Sequence, residues 1–163
     1  MPAIRQSSYR ILALDVDGTL LDASGALRPS TIEAVARAAN AGIRPVLCTG
    51  RRYRRAWPIA HQLTIDAPLV CNSGALVKDP ADHRTLWRAD LDGPLLRSLL
   101  DLFEAHDEPI ITFTDRDPSG FDFVVRACPT GRDFYDEYVA LNREHAEIDP
   151  GWTTRCDHRG HFH

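Results

Sequence analysis

No stretch of the sequence stays apolar for the roughly 20 residues that a membrane-spanning helix needs. The one apolar run near the N-terminus is broken by Asp15 and Asp17, which argues against a signal peptide, so a cytoplasmic protein is expected. Cysteine is sparse: Cys48, Cys71, Cys128 and Cys156 are far apart and form no Cys-x-x-Cys pair, so neither a zinc site nor a redox pair is signalled. Cys48 and Cys71 sit in apolar strand patterns and read as small buried residues. There is no excess of positive charge; a net charge of -4 offers no basic surface for nucleic acid. The segment from Gly151 to His163 lacks Ala, Val, Ile, Leu and Met altogether, so it cannot continue a sheet or a core-facing helix. Its Cys156, His158, His161 and His163 bring a transition-metal site to mind, but an irregular tail explains the composition more simply.

What is present is an ordinary globular composition, 44% hydrophobic and 26% charged over 163 residues, enough for one real core. Ile11 to Leu14 forms a short continuous apolar run of the kind a strand buried on both faces requires. It leads into Asp15-Val16-Asp17-Gly18-Thr19-Leu20-Leu21. Side chains two apart on a strand share a face, so Asp15 and Asp17 are expected to converge where the chain leaves the sheet. Gly18 permits a backbone angle that other residues resist and frees amides to face an anion. Two adjacent carboxylates repel unless something positive lies between them, and a hard divalent cation with oxygen ligands, Mg2+ first, suits them. A plain turn capped by two aspartates is the blander alternative. A calcium loop fails, because Ala13 and Ser24 fall at its first and last ligand positions.

The order of elements points to an α/β sheet with sites at the carboxyl ends of its strands. Pro29-Ser30 opens a helix, with Ser30 and Glu33 spaced as a capping box and Ile32, Val35 and Ala39 at helical spacing. Gly42 ends it, and Ile43 to Cys48 is a second apolar strand, as a parallel crossover demands. That strand delivers Thr49-Gly50-Arg51, where a hydroxyl, a glycine and the start of the next helix coincide; Thr49 could donate to a phosphoryl oxygen, with helix amides adding positive potential. Arg51, Arg52, Arg54 and Arg55 cluster there; a solvated basic face is the bland reading, and Arg51 is the one placed nearest an anion. The helix from Tyr53 to Leu63 should bend or restart at Pro58. Pro68 to Cys71 is a third strand, followed by Asn72-Ser73-Gly74-Ala75.

Beyond Ala75 the texture changes. Leu76-Val77 and Thr85-Leu86-Trp87 read as an antiparallel hairpin. Asp92-Gly93-Pro94 starts an amphipathic helix with Leu95, Leu96, Leu99, Leu100 and Phe103 on one face. Two further strands are expected at Ile110 to Thr114 and Phe121 to Val125. A helix from Arg132 to about His145 should carry Phe134, Tyr138 and Leu141. Hairpin-paired strands with helices between them suggest an α+β layer.

The stretch Asp15 to Leu21 resembles the first motif of the haloacid dehalogenase (HAD) superfamily, and Thr49-Gly50-Arg51 is similar to the second motif in its Cof-type branch. Asn72-Ser73-Gly74-Ala75 is similar to the Asn-Gly-Ala element before the cap in that branch, with Ser73 where asparagine is expected; neither Asn72 nor Ser73 is placed in the site. The resemblance covers residues 9 to 150. It implies a Rossmann-like core portion over residues 1–74, part of an inserted α+β cap over 75–150 and an irregular tail over 151–163. It implies Asp15 as nucleophile, Asp17 as general acid and then base, and Gly18, Thr49, Gly50 and Arg51 at the phosphate. Mg2+ would be held by the Asp15 carboxylate and the Asp17 main-chain carbonyl. The implied activity is an Mg2+-dependent phosphatase acting on a small phosphorylated metabolite through an aspartyl-phosphate. The family's lysine or arginine at the nucleophile and its downstream Gly-Asp-x-x-Asn-Asp strand are not found in this sequence, so low turnover is expected of this chain alone. Two alternatives stay open: a non-catalytic remnant that binds phosphate weakly, and a phosphomutase or phosphotransferase. An open edge on the first strand would invite self-association.

Overall fold

A computed structural model describes residues 9–115 and 120–151. The expectations for the histidines and the cysteine of the tail therefore fall outside the described residues. Contacts divide the chain into two compact units, residues 1–89 and 90–163.

The first unit is built on strand β1 (Ile11–Leu14) and strand β2 (Arg44–Leu47), paired in parallel with Ile11 opposite Arg44 and Leu14 opposite Leu47. Helix α1 (Pro29–Asn40) makes the crossover between them. Helix α2 (Tyr53–Gln62) leads from β2 to strand β3 (Leu69–Cys71), which touches the end of β2 through a parallel bridge between Cys48 and Val70. Strands β4 (Leu76–Lys78) and β5 (Thr85–Arg88) form the expected hairpin and extend β3 into a three-stranded antiparallel sheet. The hairpin, set apart by its sequence texture, thus packs as part of the first unit. Its core is closed by Val16, Leu47, Ala56, Ala60, Leu69 and Cys71, all without exposure, with Val35 of α1 against them. Burying one such valine or leucine contributes about 1.5–3 kcal/mol.

Three local expectations are corrected here. The capping box at Ser30 and Glu33 does not form: Arg28 is the N-cap, without a side-chain bond, and Pro29 takes the first helical position. Proline's fixed φ and missing N–H suit that position, which draws Ser30 inside the first turn. Pro58 does not restart its helix; α2 is continuous from Tyr53 to Gln62. Pro58 and Arg54, whose carbonyl loses its intrahelical donor, are both exposed, so water can satisfy that oxygen. Finally, β1 is not buried on both faces: Ile11 is 64% exposed and Leu12 36%. Among the described residues its sole strand partner is β2, so its outer edge is open.

The second unit contains helix α3 (Gly93–Ala105), strands β6 (Ile111–Phe113) and β7 (Phe123–Val125), helix α4 (Asp133–Leu141) and strand β8 (Ala146–Ile148). Its sheet order is β6-β7-β8, antiparallel then parallel. Alternation along β7 sends Val124 to one cluster with Leu96, Leu100 and Ile110, and Phe123 and Val125 to another with Val139 and Ala146. Helices α3 and α4 therefore cover opposite faces of this sheet. Asp92 caps α3 as its sequence predicts, accepting from Leu95 N at 2.8 Å. The expected face of α3 is narrower than the leucine pattern implied, since Leu95 and Phe103 are exposed. The expected long last helix stops at Leu141. Buried Asn142 turns its amide back to Tyr138 O at 2.7 Å, and a short 3-10 turn (Arg143–His145) leads into β8, which the helical reading missed. Phe134 and Leu141 are 90% and 74% exposed, and Val139 takes the core position instead.

Candidate active site

Because β1 and β2 run parallel and end level, Cys48 N donating to Leu14 O at 2.8 Å, the residues after each strand emerge at the same carboxyl edge. From β1 this delivers Asp15 to Leu21. The chain there winds around one carbonyl: Val16 O accepts from Leu20 N and Leu21 N, both at 3.0 Å, and from Thr19 N at 3.4 Å. Val16 itself is fully buried, while Asp15 and Asp17 on either side of it are exposed. The strand ends at Leu14, so it is this turn around Val16, rather than strand alternation, that turns both carboxylates outward. Gly18 follows at a φ of +73°, the left-handed region that glycine enters without strain.

From β2 the same edge receives Thr49, Gly50 and Arg51. Thr49 is 5% exposed, and its Oγ1 accepts from Arg51 N at 3.1 Å. A hydroxyl that accepts one bond retains its own proton for donation, and among the described residues that proton has no acceptor. Arg51 reaches across to the first turn: its Nη2 donates to Asp17 Oδ1 at 2.6 Å and its Nε to Asp17 Oδ2 at 2.9 Å. This bidentate pair joins the two predicted segments directly. It holds the Asp17 carboxyl below the usual carboxylate range, against a smaller opposing effect of desolvation, and raises Arg51 further. Asp15, by contrast, makes no hydrogen bond or ion pair with any described residue.

Of the arginine cluster, Arg54 and Arg55 are exposed as a solvated face requires, but Arg52 is 7% exposed and sits at the N-cap of α2. Burial pushes the Cys71 thiol up to about 12, as suits a small buried filler, while Cys48 and Cys128, only partly buried, are also raised by desolvation.

Sequence reasoning did not anticipate three supports. Asp22 pins the loop after the first turn, accepting from Ser24 N at 2.9 Å, Ala26 N at 3.2 Å and Arg28 Nε at 3.0 Å. The turn of the β4–β5 hairpin is fastened to α2, with Tyr53 Oη 2.6 Å from His83 Nδ1 and Trp57 Nε1 donating to Pro80 O at 3.2 Å. The turn after β3 is joined to the second segment by Ser73 N donating to Thr49 O at 3.1 Å and Asn72 N donating to Arg51 O at 2.9 Å. The Asp22-Ala23-Ser24-Gly25 and Asn72-Ser73-Gly74 compositions were the available signals for the first and third; nothing local signals that the second turn is fastened to α2.

For a metal, the donors at this edge are hard oxygens, and the unpartnered Asp15 carboxylate suits a cation. No three His, Cys, Asp or Glu side chains among the described residues converge as a ready ligand set. The hard carboxylate oxygens of Asp15 are of the type Mg2+ takes, one or two protein oxygens with water and phosphate completing its shell.

The model of the haloacid dehalogenase-like hydrolases matches residues 12–139. The chain belongs to that family. The chain is 34% identical over 124 residues to the pyridoxal phosphate phosphatase of Escherichia coli, the match covering 75% of this chain and 43% of that one. It is 29% identical over 107 residues to the HMP-PP phosphatase of Serratia proteamaculans, covering 66% of this chain and 39% of the other. A crystal structure of a hypothetical protein from Geobacillus kaustophilus superposes with a TM-score of 0.67 at 26% identity, covering 90% of this chain and 54% of that one. The HAD-superfamily phosphatase structure from Bacteroides thetaiotaomicron gives 0.69 at 20% identity, covering 98% and 56%, a likeness of fold. The chain thus spans about half the length or less of these relatives. The resemblance drawn from Asp15 to Leu21 and from Thr49 to Arg51 is confirmed, as is the partial HAD-type α/β fold.

Proposed function

We propose that this chain carries the nucleophile-bearing part of an Mg2+-dependent phosphatase that acts on a small phosphorylated metabolite. The observation that supports this best is the bidentate bridge from Arg51 to Asp17, because it places the Thr49 to Arg51 segment beside the aspartate turn at one sheet edge. In this reading Asp15, free of any protein partner, attacks phosphorus and forms an aspartyl-phosphate. Asp17 gives a proton to the departing oxygen and later takes one from the attacking water. Thr49 Oγ1, the Gly18 and Gly50 amides and Arg51 hold the phosphoryl oxygens. Asp15 and the main-chain carbonyl of Asp17 would hold Mg2+, whose charge neutralises the phosphate so that two anions can approach.

Arg51 as found favours the ionised form of Asp17, the form that accepts a proton. Its transfer to the incoming phosphate frees Asp17 for the acid step. Residues 1–74 serve as the core portion and 75–150 as the cap portion in this reading. The described cysteines are free thiols, in keeping with a reducing, cytoplasmic setting.

The open edge of β1 favours a second reading for the isolated chain, a phosphate-binding core fragment with little turnover. Both readings are tested by measuring Mg2+-dependent phosphate release from an aryl phosphate, with Asp15→Asn as the control. Release that needs both Mg2+ and Asp15 supports the phosphatase. Equal background from the two folded proteins makes this chain a binding fragment.

A further inference from the structure

After β3 the chain passes through three consecutive residues with positive φ: Asn72 at 50°, Ser73 at 55° and Gly74 at 96°. Asparagine and glycine are at home in this region, but Ser73 carries a side chain that resists it. Strained backbone of this kind persists when the surroundings hold it, and it concentrates at functional sites. Here the surroundings are the second site segment itself, through the bonds from Ser73 N to Thr49 O and from Asn72 N to Arg51 O. The turn is therefore part of the wall of the proposed phosphate site.

The side chains add two independent observations. Ser73 Oγ lies 3.3 Å from where a Cβ on Gly50 would stand, so the hydroxyl is set directly against the glycine between Thr49 and Arg51. Ser73 is exposed, and its hydroxyl makes no hydrogen bond to any described residue. The neighbouring Asn72 Oδ1 is buried with no hydrogen-bond partner among the described residues. An amide oxygen only accepts, so this orphan calls for a donor such as water or a substrate hydroxyl, and the free Ser73 hydroxyl beside it is the group able to donate to an anion. A turn with a purely structural task would be met by glycine at position 73 without strain.

We propose that Ser73 is an anion-binding residue of this site, its Oγ–H donating to an oxygen of the phosphate monoester held by Thr49 and Gly50. This rests on the phosphatase reading above and assigns it a donor from a third segment of the chain. The phosphate then receives hydroxyl donors from two sides, Thr49 after β2 and Ser73 after β3. Such a pair recognises a terminal phosphate irrespective of the group it is attached to.

The test is titration of the full 163-residue chain with orthophosphate in the presence of Mg2+, followed by calorimetry and by amide chemical shifts, for wild type, Thr49→Ala, Ser73→Ala and Ser73→Gly. Loss of one hydrogen bond to a charged group should weaken phosphate binding by about tenfold in both Ser73 variants. Ser73→Gly should at the same time melt at or above the wild-type temperature, because it relieves the left-handed backbone, so weaker binding cannot be ascribed to unfolding. Wild-type affinity in both Ser73 variants, with binding lost in Thr49→Ala, overturns the role of Ser73 and leaves the phosphate site standing. Absence of phosphate binding by the wild-type chain overturns both.

Discussion

Replacing Arg51 by methionine separates its two tasks, because the energies involved differ. In the ion pair, the Asp17 side chain is 62% exposed and that of Arg51 30%. Exposed pairs of this kind contribute about 0.2–1 kcal/mol, and the bidentate geometry puts this one near the upper end. Arg51→Met should therefore lower stability by no more than about 1 kcal/mol, a shift in melting temperature of about 2–4 °C for a chain of this size. A charge-assisted bond to phosphate is worth about 1.5–3 kcal/mol. Arg51 must first give up Asp17, so the net loss in binding is about 0.5–2 kcal/mol, or about twofold to thirtyfold in orthophosphate affinity. Calorimetric titration and a thermal melt on the same protein measure both quantities.

The stability term also has a defined pH dependence. The folded-state pKa of Asp17 lies below its unfolded value, so its contribution is fully present above the ordinary carboxylate range near about 3.9 and is lost as pH falls through the lower folded value. The difference between wild type and Arg51→Met should vanish on acidification. A melting temperature lowered by ten degrees with unchanged phosphate affinity would refute this reasoning and make Arg51 a structural residue.

Further outcomes follow from single observations. Gly18→Ala meets no atom within 4 Å but must adopt a φ of +73°, so it should cost about 1–2 kcal/mol by urea denaturation; an unchanged midpoint would show that the turn relaxes. Asp92→Ala removes the side-chain bond to Leu95 N and should destabilise the second unit by about 1 kcal/mol, read as faster amide exchange at the start of α3. The open edge of β1, with Tyr9 77% and Ile11 64% exposed, should promote self-association. In sedimentation runs Ile11→Lys should shift the chain toward monomer, and identical profiles for the two proteins would rule out that edge.

The strands other than β8, the hairpin and three of the four main helices could be read locally because their signals are local. Short apolar runs ending in polar or glycine turns marked β1 to β3, and the Asp92 cap with its leucine repeat marked α3. The errors arose where neighbours compete. Pro29 displaced the cap from Ser30, Asn142 cut short the last helix, and Val139 displaced Phe134 and Leu141 from the core. In each case several residues satisfied the same pattern, and packing chose among them.

The same division holds at the site. The sequence by itself determined which groups are available: two aspartates at the end of one strand, a threonine, a glycine and an arginine at the end of another, and the family they resemble. Their spacing along the chain is fixed covalently and can be read without a structure. Tertiary structure alone decided that Arg51 grips Asp17 while Asp15 stays free, that Arg52 is buried, and that Ser73 rests against Gly50. Those contacts join residues 20 or more positions apart, and they exist because parallel pairing of β1 with β2, and the bridge from β2 to β3, bring three strand ends to one edge.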